Sequence, residues 1–307
     1  MNPTVSVGLP VAQEPIDYIR EAIRSVQNQS LSDWELIVVA DGSPDAIRNY
    51  LTAIEDPRIR VFLHMNATGL STRLNEIADL AKGEFLARMD ADDIMHPTRL
   101  EHQVTVLRDN ISVDLLSSRA VIIDEAKAIL GITRAVTPTV ARASMLGPTP
   151  FIHPTVIART EWWRSHRYDA RYVRSQDKAL WIVAANDSCF RRDDEIALFY
   201  RVARTLNPAK YARSARFERQ IICRFGPGVV GQLRTLRFVG SSLTKQIIVA
   251  VASKLGHADS IMSRRYASLS DQEKREFAVT LERAIAPADY DAAASHELDT
   301  KLSLIHI

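Results

Sequence analysis

Four times in its first hundred residues the chain passes from a short apolar run to another segment. The runs are Val5–Leu9, Trp34–Ala40, Ile59–Leu63 and the stretch opening at Phe85. Between them, Ile16–Gln27, residues 46–54 and Leu70–Ala81 are read as helices, with apolar residues three or four positions apart. Strands separated by single helices are joined by crossovers and not by hairpins. The alternation therefore demands an α/β fold: a mostly parallel central sheet flanked by helices. Sheets of this class bind ligands beyond the carboxyl ends of their strands.

Two of those strand ends carry acids. The second run stops at Asp41-Gly42-Ser43-Pro44-Asp45, a turn cluster expected to cap the next helix. The fourth stops at Asp90, Asp92 and Asp93, after which Pro97 is expected in the first turn of a helix over Thr98–Leu107. Clustered carboxylates suit a hard divalent cation shared with substrate phosphates. Asp-rich turns also form because Asp tolerates turn geometry and caps helices, so the local pattern leaves both readings open. No Gly-x-Gly-x-x-Gly follows the first strand and no Gly-x-x-x-x-Gly-Lys-Ser/Thr occurs, which disfavours dinucleotide-binding and P-loop chemistry.

Further pieces in register complete a pattern. They are Val5-Ser-Val-Gly-Leu-Pro10, Ala22-Ile-Arg-Ser-Val-Gln-Asn-Gln-Ser30, Glu35-Leu-Ile-Val-Val-Ala-Asp-Gly-Ser43, Asp56-Pro-Arg-Ile-Arg-Val61, Gly69-Leu-Ser71 with Asn75, Ala81-Lys-Gly-Glu-Phe85 and Asp90-Ala-Asp-Asp93. In this order and spacing, Pro3–Leu107 resembles the nucleotide-sugar-binding half of the family 2 glycosyltransferases, which have the GT-A fold. The resemblance implies an inverting, metal-dependent transfer of sugar from a nucleotide-diphosphate sugar, UDP favoured, in polysaccharide biosynthesis. It places Pro10, Asp41, Asp90 and Arg201 on the donor side and Asp92 on Mn²⁺ or Mg²⁺. Arg174-Ser-Gln-Asp177 resembles the family's Glu-Asp motif, which makes Asp177 the general base. Asp93, His153 and Gln176 are expected on the acceptor side. Four positions depart from the pattern: Ala12-Gln13 where Tyr-Asn is common, Ala40 for a second Asp, Gln176 for Glu, and Ala203 for His.

Read without the resemblance, several of these residues have plainer roles. Asp177 is a first-turn residue favoured by the helix dipole, with Ser175 its N-cap. His153 is a turn histidine before Pro154, Arg201 is a surface arginine on an edge strand, and Asp93 caps the helix that follows. Three functions stay open at this point: the transferase, a degenerate nucleotide-sugar-binding protein, and a nucleotidyltransferase. The last should carry a Gly-rich basic first loop, which Leu9-Pro-Val-Ala-Gln13 lacks.

The resemblance fades after Arg204. The expected division is a catalytic domain over 1–204, a basic helical extension over 205–290 and a disordered tail over 291–307. The net charge is +2, yet Pro208–Arg265 alone carries +9, leaving −7 for the remainder. Helices over 209–225 and 232–255, divided by Gly226-Pro-Gly228, are expected there, and Ser270-Asp-Gln-Glu273 reads as a capping box opening another helix to Ile285. A basic amphipathic helix lies on an anionic membrane or packs on the catalytic domain, and the pattern fits either. The acceptor is expected to be a saccharide or a lipid-linked sugar, with no nucleic-acid partner. Two cysteines allow no framework of bridges, no signal-type segment opens the chain, and no apolar run reaches 18 residues. A cytoplasmic protein, peripheral to the membrane at most, is expected.

Overall fold

The computed structural model describes residues 2–135, 140–148, 150–204, 207–254 and 266–287. Strands β1 (Val5–Val11), β2 (Trp34–Asp41), β3 (Ile59–His64) and β4 (Phe85–Arg88) alternate with helices α1 (Ile16–Gln27), α2 (Asp45–Thr52) and α3 (Leu70–Leu80). The four strands lie parallel in the order β4-β1-β2-β3. The near-continuous apolar runs of β1, β2 and β4 follow from burial on both faces, whereas β3, at the sheet edge, is only partly buried. In β2, Leu36, Val38 and Ala40 face the core under α1 and α2, whereas Ile37 and Val39 face the core under α3.

This order places the functional end. The chain leaves β1 toward β2 on one side and returns on the other side as β4, so the strand order reverses between β1 and β4. An open α/β sheet forms its ligand crevice at such a reversal. The ladder between β1 and β4 ends at Gly8 and Arg88, while β1 continues beside β2 to Val11. Pro10, with no N–H to donate, lies buried beyond the last β4 pairing, opposite Val39.

The second half is mixed. It contains β5 (Ile94–Met95), α4 (Arg99–Asp109), β6 (Leu115–Ile123), β7 (Ile129–Thr133), β8 (Ile157–Arg159), α5 (Thr160–Ser165), α6 (Gln176–Ala184) and β9 (Phe190–Arg201), with 3-10 turns at Arg142–Leu146 and His153–Thr155. β8 lies antiparallel between β4 and β6, and β9 runs parallel to β6 and antiparallel to β5. The apolar residues on either side of Ser117 and Ser118 form the single β6. Ser117 and Ser118 do not break it because both are buried and bonded, Ser117 to Thr155 at 2.9 Å and Ser118 to Gln103 at 2.8 Å. Thr98 is the N-cap of α4, so Pro97 precedes the helix and is not in its first turn.

The C-terminal part comprises α7 (Pro208–Val230), α8 (Gln232–Lys254), β10 (Tyr266–Ala267), which pairs with β7, and α9 (Asp271–Ile285). Helix α7 runs through Gly226-Pro227-Gly228, contrary to expectation, and ends at Gly231 with φ of +80°. Gly226 marks a helix crossing: a Cβ there would lie 2.7 Å from the Thr235 side chain of α8. The capping box at Ser270 and Glu273 forms as read. Helix α9 packs onto the main body, where Leu281 and Ala284 join Ile94, Val121, Ile123 and Phe199 in one buried cluster. The Asn28 side chain donates to the carbonyls of Ala284 at 3.0 Å and Ala286 at 2.9 Å. The expected tail, 291–307, lies outside the described residues, as do 288–290 and Leu255.

At the opposite end of the sheet, Gly83 is fixed by close approach. Its N–H donates to Ser6 Oγ at 2.8 Å, and that hydroxyl donates to the buried Glu35 at 2.6 Å. A Cβ on Gly83 would meet Ser6 N at 2.4 Å and Val5 C at 2.7 Å, both backbone atoms with little room to move. Gly83→Ala is expected to destabilise the fold by about 1–3 kcal/mol. Urea unfolding measures this, and an unchanged midpoint would contradict the packing described.

Candidate active site

Three carboxylates gather where β4 ends. Asp90, Asp92 and Asp93 each place one carboxylate oxygen within 4.8 Å of the others. The turn is held from below by β9. Arg201 donates its backbone N–H to Asp93 Oδ1 at 2.8 Å and its Nε to the Asp92 carbonyl at 2.7 Å. Burial, with the charge of Asp90 and of nearby Glu14, pushes the Asp92 pKa up to about 6. Asp93 is 1% exposed, and its Oδ2 has no hydrogen-bond partner. Burial first, then Asp92 and Asp90, raises its pKa well above the usual carboxylate range. Hard oxygen donors this close, repelling one another when ionised, fit a divalent cation.

Two expectations change here. Asp93 faces inward against β9, so it neither caps α4 nor lines an acceptor surface. Arg201 is neither a surface arginine nor free for a diphosphate. Its side chain is 3% exposed, its Nη2 donates to Glu21 at 2.7 Å, and its guanidinium stacks 4.0 Å from the Tyr18 ring. Both residues support the acidic turn from behind.

Asp41, at the end of β2, is held in one orientation. It accepts from the N–H groups of Thr68 and Gly69, each at 2.8 Å, and from Arg73 Nε at 2.7 Å. Burial raises its pKa, but these bonds and the Arg73 charge outweigh it, so the net shift is downward and the group stays ionised. The turn that follows does not cap α2 through a side chain. Pro44 occupies the N-cap, and Ser43 donates instead to the Val11 carbonyl at 3.2 Å.

A second group of candidate residues gathers near the start of α6. Asp177 is half-buried at the start of α6, and burial raises its pKa against the opposing effects of the Lys178 N–H and the Arg88 charge. Ser175, before it, is the N-cap but adopts a left-handed φ of 56° and makes no side-chain cap bond. Gln176 is buried beside Asp177. His153 Nε2 and Tyr168 Oη share a 2.7 Å hydrogen bond, and the His153 ring packs edge-on against Trp181, 5.9 Å away. Burial and Arg88 keep His153 well below its usual pKa and hence neutral.

Arg88 joins the two groups. It is 4% exposed and ion-paired with Asp90. Its charge also acts on Asp92, Asp93, His153, Tyr168 and Asp177. One buried cation therefore acts on both the strand-end carboxylates and the acid of α6. Donor-side and acceptor-side candidates separated by about 85 residues of sequence meet in one electrostatic neighbourhood.

Residues 6–196, more than half of the chain, match the family described as glycosyl transferase family 2. The chain belongs to that family. It is similar to an uncharacterised glycosyltransferase of Methanocaldococcus jannaschii, 31% identical over 212 residues that cover 66% of this chain and 71% of that one. Its fold is similar to that of S. aureus TarS solved with UDP-GlcNAc, with a TM-score of 0.56 and 16% identity over 93% of this chain and 82% of that one. It is also similar to the mannosyltransferase PcManGT of Pyrobaculum calidifontis solved with GDP-Man and Mn²⁺, with a TM-score of 0.54 and 16% identity over 93% and 86%. The chain is a glycosyltransferase with a GT-A-like fold.

Within this glycosyltransferase, three residues of the site escaped the sequence reading. Arg88 carried a signal: it is the one charge inside the apolar run Phe85–Met89. A charge in a buried strand needs a partner, and Asp90 lies two residues on. Arg73 and Tyr168 gave none. Arg73 falls on a helix otherwise read for its apolar face, and Tyr168 lies in an irregular loop.

Proposed function

We propose that this glycosyltransferase transfers a sugar, with inversion, from a nucleotide-diphosphate sugar to the hydroxyl of a saccharide or lipid-linked acceptor in polysaccharide biosynthesis. The observation that carries the reading is the convergence of Asp90, Asp92 and Asp93 at the strand-order reversal, with the buried Arg88 acting electrostatically on these acids and on Asp177 alike. We place catalysis in residues 1–204, completed by α9.

Each residue then has a role. Asp41, already fixed by Thr68, Gly69 and Arg73, accepts from the nucleotide base, uracil by preference. Pro10 lines the crevice floor where β1 and β4 part. Asp90 orients the ribose side of the donor, and Asp92 is the ligand for Mn²⁺ or Mg²⁺. Bound there, the ion supplies a Lewis acid that neutralises the leaving diphosphate. Asp177 takes the proton of the acceptor hydroxyl as its oxygen attacks the anomeric carbon. The bond from that carbon to the diphosphate breaks on the opposite face, and the nucleotide diphosphate leaves. His153, neutral and tied to Tyr168, positions the acceptor together with Gln176.

Ion binding tests the donor half. A cation binds the ionised form of Asp92, whose pKa of about 6 lies above that of a free carboxylate. Mn²⁺ affinity is expected to be steady above pH 6 and to fall about tenfold per pH unit below it. Titration calorimetry with Mn²⁺ and UDP, comparing wild type with Asp92→Asn, reads this. The variant should lose the Mn²⁺-dependent part of UDP binding. Equal Mn²⁺ dependence in the two proteins would remove Asp92 from the site.

A further inference from the structure

Helix α8 is built inside out for a helix in water. Its inward face carries Thr235, Ser242 and Gln246, together with Val249 and the partly buried Phe238 and Val239. Its outward face carries Leu233, Leu236, Leu243, Ile247, Ile248 and Val251, of which Leu233 is 81% exposed, Leu236 65% and Ile247 64%. Leu233, Leu236, Leu243, Ile247 and Val251 are spaced by three, seven, four and four positions, so they form one stripe along the helix axis. A surface helix normally buries this stripe. An exposed, contiguous apolar surface of this kind marks an interaction site.

The charges beside the stripe point to the partner. Arg234, Arg237 and Lys245 are exposed, and none has a carboxylate partner among the described residues. The helix Gln232–Lys254 contains no Asp or Glu at all. A second copy docking stripe to stripe through a two-fold axis would oppose cation to cation with no acid to compensate. An anionic lipid surface complements both features, since acyl chains take Leu and Ile while headgroups take Arg and Lys. No helix among the described residues is long and apolar enough to cross a membrane.

We infer that α8 seats this glycosyltransferase on an anionic lipid bilayer, with its apolar stripe at the acyl boundary. The placement bears on the acceptor. Lys178, the residue after Asp177, is ion-paired with Glu218 of α7 and feels the charge of Lys245 of α8. The helix that bears Asp177 therefore rests on the hairpin that would meet the bilayer. A sugar carried on a lipid is the acceptor class this arrangement favours. That last step rests on the proposed role of Asp177, whereas the lipid binding does not.

Flotation of the full chain with vesicles decides the matter and needs no turnover. The wild type is expected to float with phosphatidylcholine vesicles containing phosphatidylglycerol, and about a hundredfold more weakly with pure phosphatidylcholine. The triple variant Leu236→Ser, Leu243→Ser, Ile247→Ser should lose flotation while keeping its unfolding midpoint and its nucleotide-sugar hydrolysis in solution. Arg234→Gln with Arg237→Gln and Lys245→Gln should remove the preference for anionic lipid. Wild type that stays with the soluble fraction overturns the inference. So does a serine variant that floats like wild type. A wild-type dimer that the serine variant dissolves, without any flotation, assigns the stripe to a second copy and equally overturns it.

Discussion

Asp177→Asn should leave nucleotide-sugar binding intact and lower the turnover number by about 10²–10⁴-fold, the usual contribution of a general base. Asn keeps the shape and the hydrogen-bonding capacity of the side chain but cannot take a proton. The pH profile supplies a second readout. Burial raises the Asp177 pKa, so the acidic limb of kcat/KM should lie above the range of an ordinary carboxylate. The base must be ionised, so activity falls as pH drops through that raised pKa. Gln176→Glu places a second negative charge beside Asp177 and should shift the limb further toward neutral pH. Full turnover in Asp177→Asn, measured by nucleotide release in the presence of acceptor, would exclude this residue as the base.

Arg88→Met should strongly destabilise the protein in the absence of metal. It leaves Asp90 beside Asp92 and Asp93 without its ion-pair partner. Breaking a buried pair by removing one partner costs about 3–5 kcal/mol, and the partial exposure of Asp90 puts this one near the lower end. Because a divalent cation would replace the missing charge, Mn²⁺ should restore part of the lost stability. Arg88→Lys keeps the charge without the planar fork and should fall between. Urea unfolding with and without Mn²⁺ measures all three proteins. A variant as stable as wild type in the absence of metal would show that Arg88 does not balance the acidic turn.

The parts legible in the sequence are those with local causes. Strands β1, β2 and β4 follow from apolar runs buried on both faces, the edge strand β3 from a short apolar run, and their helices from spacing. Asp41 and Asp90–Asp93 stand at strand ends that the alternation itself locates. Non-local causes hid the rest. Arg201 reads as an edge-strand residue until β9 is seen to pass beneath the acidic turn, where it finds Glu21 about 180 residues earlier. Ser117 and Ser118 look like a strand break unless their partners Thr155 and Gln103 are known. Gly226-Pro-Gly228 looks like a helix break, because sequence does not show that Thr235 must pack against a glycine. Asp177 stands out only through the resemblance, since its local pattern is that of any first-turn acid.

The position of α9 has a consequence for how the protein is made. Leu281 and Ala284 complete the cluster that holds Ile94 and Phe199, directly behind the acidic turn. On the ribosome, that cluster stays open until residues beyond Ala286 have left the exit tunnel. By then the basic hairpin of α7 and α8 is already outside. Vectorial synthesis thus offers the bilayer-seeking helix to the cell before the cluster behind the acidic turn is closed, so anchoring can precede the final act of folding.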